Sequence, residues 1–256
     1  MTVTDDPPGR DRDAGEMTLQ EHLAELRKRL GISVGALVVT TLVMWFFYDA
    51  LIGFMEHPYC DFLRAHPQKS VGTGCQLYIT GPVEGFTTRL KVSGYAGVVV
   101  ASPVILWELW RFITPGLHKN EKRYVVPFVA AGCALFAAGV AVAVAVFPKA
   151  IGWLIDVSGK GVVPLLSPSR YFTLYALMAV VFGLVFLFPL VQVFLEIAGV
   201  VPSATWRRWR RPAIVVLVVI AAVITPSGDP FSFLAMAVPL VIFYEASIVV
   251  GRIMHK

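Results

Sequence analysis

Apolar residues along this chain do not alternate with polar ones. They gather in long continuous blocks at 31–54, 92–112, 124–147, 171–198, 212–225 and 231–250, with short polar stretches between them. Crossing a hydrocarbon core of about 30 Å takes roughly 20 mostly apolar helical residues, and every block but 212–225 is that long. Continuous apolarity favours helices over barrel strands, and a helix satisfies its own backbone in lipid. The pattern therefore predicts an all-α, polytopic membrane protein with six transmembrane helices, spans 1 to 6. Residues 1–17 read as a disordered tail, 18–252 as a single six-span domain and 253–256 as a short tail.

Composition strengthens this reading. Of 256 residues, 57% are hydrophobic and 15% charged, where a soluble domain carries about 25% charged residues, and mean hydropathy is +0.70. So few polar residues could not cover a compact soluble fold, and lipid must cover much of the surface. Charge then sets orientation. Basic residues crowd the N-terminal tail (Arg27, Lys28 and Arg29 next to span 1), the loop after span 2 (Lys119, Lys122, Arg123) and the loop after span 4 (Arg207, Arg208, Arg210, Arg211). The opposite side carries fewer: Arg64, Lys69, Arg89, Lys91, Lys149, Lys160 and Arg170. The positive-inside rule puts both termini in the cytoplasm, as six spans require. The first 30 residues are polar and show no cleavable signal peptide, so span 1 is expected to act as the insertion signal.

Thr18-Leu19-Gln20-Glu21 fits a capping box, and Leu19, Leu23, Leu26 and Leu30 follow at helical spacing, which predicts an amphipathic helix running into span 1. On the residues alone, the plainest role of Glu25 is an i,i+4 pair with Arg29. In the loop after span 2, Asn120 can cap span 3, leaving Glu121 in its first turn, where the helix dipole favours an anion.

The sequence also resembles a known family. His22-Leu23-Ala24-Glu25-Leu26-Arg27-Lys28-Arg29, Ser102-Pro103-Val104-Ile105-Leu106, Trp110-Arg111-Phe112-Ile113-Thr114-Pro115-Gly116-Leu117 through Glu121-Lys122-Arg123, and Thr225-Pro226-Ser227-Gly228-Asp229 resemble the motifs of TatC, the six-span receptor subunit of the twin-arginine protein translocase. The resemblance runs from about residue 17 to 252. It implies a protein-export component in a bacterial-type plasma (inner) membrane, not an enzyme, whose cytoplasmic face binds twin-arginine signal peptides of folded precursors. By motif, Glu25 and Glu121 would accept the paired arginines, through planar charge-assisted hydrogen bonds that lysine cannot copy, with Arg27 and Phe112 beside them. The implied partners are TatA- and TatB-type single-span membrane proteins, further copies of the chain and membrane lipid. No nucleic acid, metal or other cofactor is implied.

Pro58, Pro103, Pro189, Gln192 and Asp229 are expected to be structural or partner-contact positions, with Pro189 bending span 4. Leu187 stands where TatC proteins commonly carry a glutamate, and Gln192 and Glu196, at i,i+4 spacing, are candidates to substitute as polar contacts. Cys60 and Cys75 fall in the outer loop 55–81, on the oxidising side, whereas Cys133 lies within span 3. A disulfide between the first two is expected, the alternative being two free thiols. Span 5, at about 1.5 Å per residue, covers only about 21 Å, which predicts local bilayer thinning unless neighbouring helices shield it. A secondary transporter would instead place charged groups at midplane between broken helices, yet spans 3, 4 and 5 are nearly bare of them. An intramembrane enzyme lacks a zinc helix or nucleophile turn, and the histidines and cysteines match no common zinc spacing.

Overall fold

The structure, a computed structural model, describes residues 19–67, 75–113, 125–159, 165–197, 199–201 and 203–254. Glu121, the capping residue Thr18, the predicted tail 1–17 and residues 255–256 lie outside the described residues, whereas 253–254 of the predicted C-terminal tail belong to a helix. Every regular element described is helical: α1 (Leu19–Phe46), α2 (Tyr48–Ala65), α3 (Glu84–Ile113), α4 (Val125–Val157), α5 (Pro168–Val185), α6 (Phe188–Ile197), α7 (Ser203–Arg208), α8 (Arg210–Ile224) and α9 (Pro230–Met254). Spans 1, 2 and 3 are α1, α3 and α4, span 4 is α5 with α6, and spans 5 and 6 are α8 and α9. All but α8 are long and apolar enough to cross a bilayer.

Boundaries differ from the sequence reading: α3 starts at Glu84 and α4 runs on to Val157, beyond the expected blocks 92–112 and 124–147, and two spans are broken. Span 1 does not continue to residue 54: its helix stops at Phe46, and α2 starts anew at Tyr48. The break is held by Arg89 of α3, whose Nη2 donates to the Trp45 carbonyl at 2.9 Å while its guanidinium lies 5.0 Å from the rings of both Trp45 and Tyr48. A cation on the last free carbonyls of a helix complements its dipole. In consequence, much of the expected outer loop is helix α2. Its buried face (Met55, Tyr59, Cys60, Leu63) packs into the core, and Tyr171 of α5 donates its hydroxyl to the Met55 carbonyl at 2.9 Å. Cys60 is joined to Cys75 in a disulfide that ties the end of α2 to the following strand of loop, whose Tyr78 amide donates to the Leu166 carbonyl. Glu84 completes this face: it accepts from the amide and hydroxyl of Thr80, at 2.6 and 2.8 Å, and from the Ser169 amide at 3.3 Å.

The second break is in span 4. The helix is interrupted at Phe186 and Leu187, just ahead of Pro189, which cannot donate to the Val185 carbonyl. Pro103 leaves α3 intact by contrast, and the Ser102 hydroxyl supplies the donor that Pro103 lacks, bonding to the Val99 carbonyl at 2.8 Å. Pro58 likewise lies inside a continuous helix, α2.

Backbone proximity, more than side-chain bulk, joins the spans. A Cβ on Gly97 would lie 2.4 Å from Thr41 Oγ1 and 2.9 Å from Thr41 Cα, so α1 and α3 touch backbone to backbone there. The Thr40 hydroxyl sits 2.9 Å from the Gly97 carbonyl across the same contact. Gly139 of α4 meets the Phe182 carbonyl of α5 in the same way, and Gly183 meets the Phe136 ring. Small residues are what permit such approach in lipid. The core around Phe147, Tyr171, Phe182, Met236 and Tyr244 is built by α2, α4, α5 and α9.

Helix α8 has 15 residues and so spans about 22 Å. Only Leu217 and Ala221 are buried on it, while Val215, Val216, Val219 and Val223 are exposed. Among the described residues, then, α9 covers one face of the short span and the opposite face stays open.

Two outcomes test this packing. Gly97→Val should drive α1 from α3, lowering stability by about 1–3 kcal/mol as other overpacked contacts do, and thermal unfolding in detergent would show the loss. In the native protein neither Cys60 nor Cys75 should react with a thiol reagent until reductant is added, and Cys60→Ser should cost about 3 kcal/mol in the chain-entropy model.

Candidate functional site

Three heights of contact between α1 and α3 bring their far ends together: Arg89 on Trp45, Gly97 on Thr41, and a cluster of charge nearest the N-terminus of α1. In that cluster Arg29 Nη2 donates to Glu25 Oε1 at 3.0 Å, and Nη1 donates to Glu108 Oε2 at 2.9 Å. Side-chain exposure is 14% for Arg29, 18% for Glu25 and 8% for Glu108, so the cluster is largely sheltered from water. One turn beyond, His22 stacks on Phe112 with ring centroids 4.6 Å apart. On the far side of α3, Trp110 packs against Phe128 of α4 and Phe194 of α6, fixing the end of α3 against the bundle.

Glu25 and Phe112, proposed from motifs, thus share one platform. Arg27 lies on the exposed side of α1. The i,i+4 pair of Glu25 with Arg29 is present, but it is part of a larger arrangement. Glu108 was not among the predicted site residues. A signal for it exists: it is the sole acidic residue in the apolar block 92–112, and an ionisable group so placed is a functional candidate by default. The loop carrying Glu121 leaves α3 directly after Ile113, at the same end.

The remaining candidates lie elsewhere. Asp229 is fully buried and caps α9: Oδ1 accepts from the Ser232 amide at 2.8 Å, Oδ2 accepts from the Ser227 hydroxyl, and Pro230 takes the first helical position, where it needs no donor. Gly228, at φ 63°, supplies the left-handed turn that precedes it. Leu187 and Leu190 lie against Gly132 of α4, an apolar contact in place of an acidic one. Gln192 and Glu196 do not pair with each other. Both are buried, at 1% and 2% exposure, and their side-chain N and O atoms have no hydrogen-bond partner among the described residues. Their helix, α6, packs mainly on α9.

A helical bundle with apolar exteriors, proline-broken and glycine-packed spans and an ion cluster at one end of α1 and α3 defines a multi-pass membrane protein. The family model for the Sec-independent protein translocase protein TatC matches residues 21–239, and this chain belongs to that family. TatC of Frankia casuarinae is 41% identical over 238 residues, which cover 92% of this chain; the chain spans only 65% of that relative's length. TatC of Helicobacter pylori strain 26695 is 35% identical over 93% of this chain and 88% of its own length. A crystal structure of the twin-arginine translocase receptor TatC superposes with a TM-score of 0.75 at 33% identity, over 90% of this chain and 99% of that one.

The Asp229 cap is open to test. Asp229→Ala removes acceptors for the Ser232 amide and Ser227 hydroxyl, and should lower stability by about 1–2 kcal/mol. Asp229→Asn, which keeps an acceptor, should recover most of the loss in thermal unfolding.

Proposed function

We propose that this chain is the receptor subunit of a twin-arginine translocase. It binds the signal peptides of folded precursor proteins at its cytoplasmic face and, with TatA- and TatB-type single-span subunits and further copies of itself, exports them across the plasma membrane. It does so as a binding and transport component, without catalysing a covalent reaction. In this orientation the end of α1 and α3 that carries Glu25, together with both termini, faces the cytoplasm. The disulfide and Glu84 face outward.

The observation that carries the reading is the convergence of carboxylates at that end. A face rich in Arg and Lys would repel an arginine peptide unless acids were set into it, and Glu25 and Glu108 are held there by contacts on both helices. Glu121 joins them by motif. Carboxylates accept guanidinium through two parallel bonds, which selects arginine over lysine by geometry and not by charge alone. The His22–Phe112 stack next to them offers an apolar surface for the uncharged part of the peptide. Helix α8, short and exposed, would draw headgroups inward beside α9 and thin the barrier that cargo must cross.

A secondary transporter is disfavoured on the same geometry. Its coupling groups would line a polar midplane cavity, whereas the space between α1, α2, α3, α4 and α5 is lined by apolar side chains such as Met44, Val99, Val140 and Val144 with Tyr95 and Tyr175, and by no charged residue.

Peptide binding provides the test. Glu25→Ala and Glu121→Ala should each weaken binding of a synthetic twin-arginine peptide by about tenfold, with Glu→Gln intermediate and Glu→Lys worst, and salt should weaken it further. Replacing the paired arginines by lysines should abolish most affinity for the wild type but little more in the Glu25/Glu121 double variant. Full arginine preference in that double variant would overturn the assignment.

A further inference from the structure

The ion cluster between α1 and α3 already holds an arginine of its own. Arg29 spends both terminal nitrogens on carboxylates from different helices, Glu25 at 3.0 Å and Glu108 at 2.9 Å. The second oxygen of each carboxylate has no partner among the described residues. One cation and two anions leave one unit of negative charge in a place where the three side chains are at most 18% exposed. Charge so sheltered is weakly screened and attracts a further cation.

Such an arrangement is more than a helix tie needs. Arg29 could join α1 to α3 with one carboxylate, as a hydrophobic pair would without any desolvation cost. Two carboxylates facing one planar guanidinium form, instead, a receptor for guanidinium that is filled by the protein itself. Resting on the receptor reading above, we infer that Arg29 is a resident substitute for the signal-peptide arginine. Glu108 is a further carboxylate of the arginine-reading site, and an incoming arginine binds by taking acceptor oxygens from Arg29. The resident guanidinium keeps Glu25 and Glu108 from repelling each other while the site is empty of peptide. It also raises the standard that a ligand must meet. A lysine ammonium is a point charge that cannot match a planar fork, so it competes poorly against Arg29. Arginine selectivity thus arises in part from competition with an arginine.

Charge counting orders the variants. With Arg29→Gln the cluster carries two free carboxylates; the wild type and the Arg29→Gln/Glu108→Gln double variant each carry one net negative charge; Glu108→Gln carries none. The full chain in zwitterionic nanodiscs is titrated at low salt with a twin-arginine signal peptide and with its twin-lysine version. Arg29→Gln should bind the arginine peptide about tenfold more tightly than wild type, one charge-assisted hydrogen bond being worth at least that factor, and should show a smaller arginine-over-lysine ratio. Glu108→Gln should bind about tenfold more weakly, and the double variant should return to the wild-type level.

If Arg29 only pins α1 to α3, Arg29→Gln weakens binding in step with its loss of thermal stability, and the inference is overturned. Should Arg29→Gln fail to fold, Glu108→Gln and the double variant decide: return of affinity in the double variant supports the inference, and its absence rejects it. Failure of the receptor reading is distinct, because then the Glu25/Glu121 double variant binds both peptides as the wild type does.

Discussion

Helices in lipid have no hydrophobic force holding them together, since the surrounding chains are as apolar as the helix surfaces. The α1–α3 pair must therefore be held by closeness and by polar contacts, and the backbone approach at Gly97 and Thr41 is the one on which the rest depends. Gly97 and Glu108 are separated by about 16 Å along α3, and Thr41 and Arg29 by about 18 Å along α1. The two contacts thus match in height, and a helix pair crossing at the glycine brings the ions together without further adjustment. Arg89, on the other side of the crossing, stops α1 at Phe46 and so fixes where the register begins. Shift any of these and Glu25 no longer faces Glu108.

The apolar blocks of the sequence were enough to place six spans, because lipid demands long continuous runs that few other environments tolerate. Local rules also served for Pro189, which ends the backbone ladder of span 4, whereas Asp229 was expected only as a structural or partner-contact position and its capping role comes from the fold. What sequence pattern could not give was the stop after Phe46. No proline or glycine stands at 47, and the run from 31 to 54 carries no charge apart from Asp49; the break coincides with Arg89, 44 residues from the carbonyl it binds. The helix α2 was lost to the same error, since a loop was expected where a buried face formed.

The candidate site was legible in half. Glu25 and Phe112 stand in motifs that a family resemblance picks out, and their positions at the ends of spans 1 and 2 follow from topology. The third member, Glu108, sits among Trp107, Leu109 and Trp110, and the partner its sequence offers is Arg111, one turn on. Its partner in the fold lies on another helix, and a pairing across 79 residues has no local signature. Gln192 and Glu196, marked by i,i+4 spacing as candidate polar contacts, are both buried in the fold, with no hydrogen-bond partner among the described residues.

Those two residues bear on how the molecule is assembled. A helix is released into lipid as it is made, and α6 would then expose a glutamate and a glutamine to hydrocarbon near its end, an arrangement that lipid resists. The helix against which α6 chiefly packs is α9, which follows it in the chain. Span 4 therefore cannot reach its final burial when it is inserted. Burial of Gln192 and Glu196 thus waits on a helix made after span 4, and the polar side of α6 is complete only once α9 has docked on it.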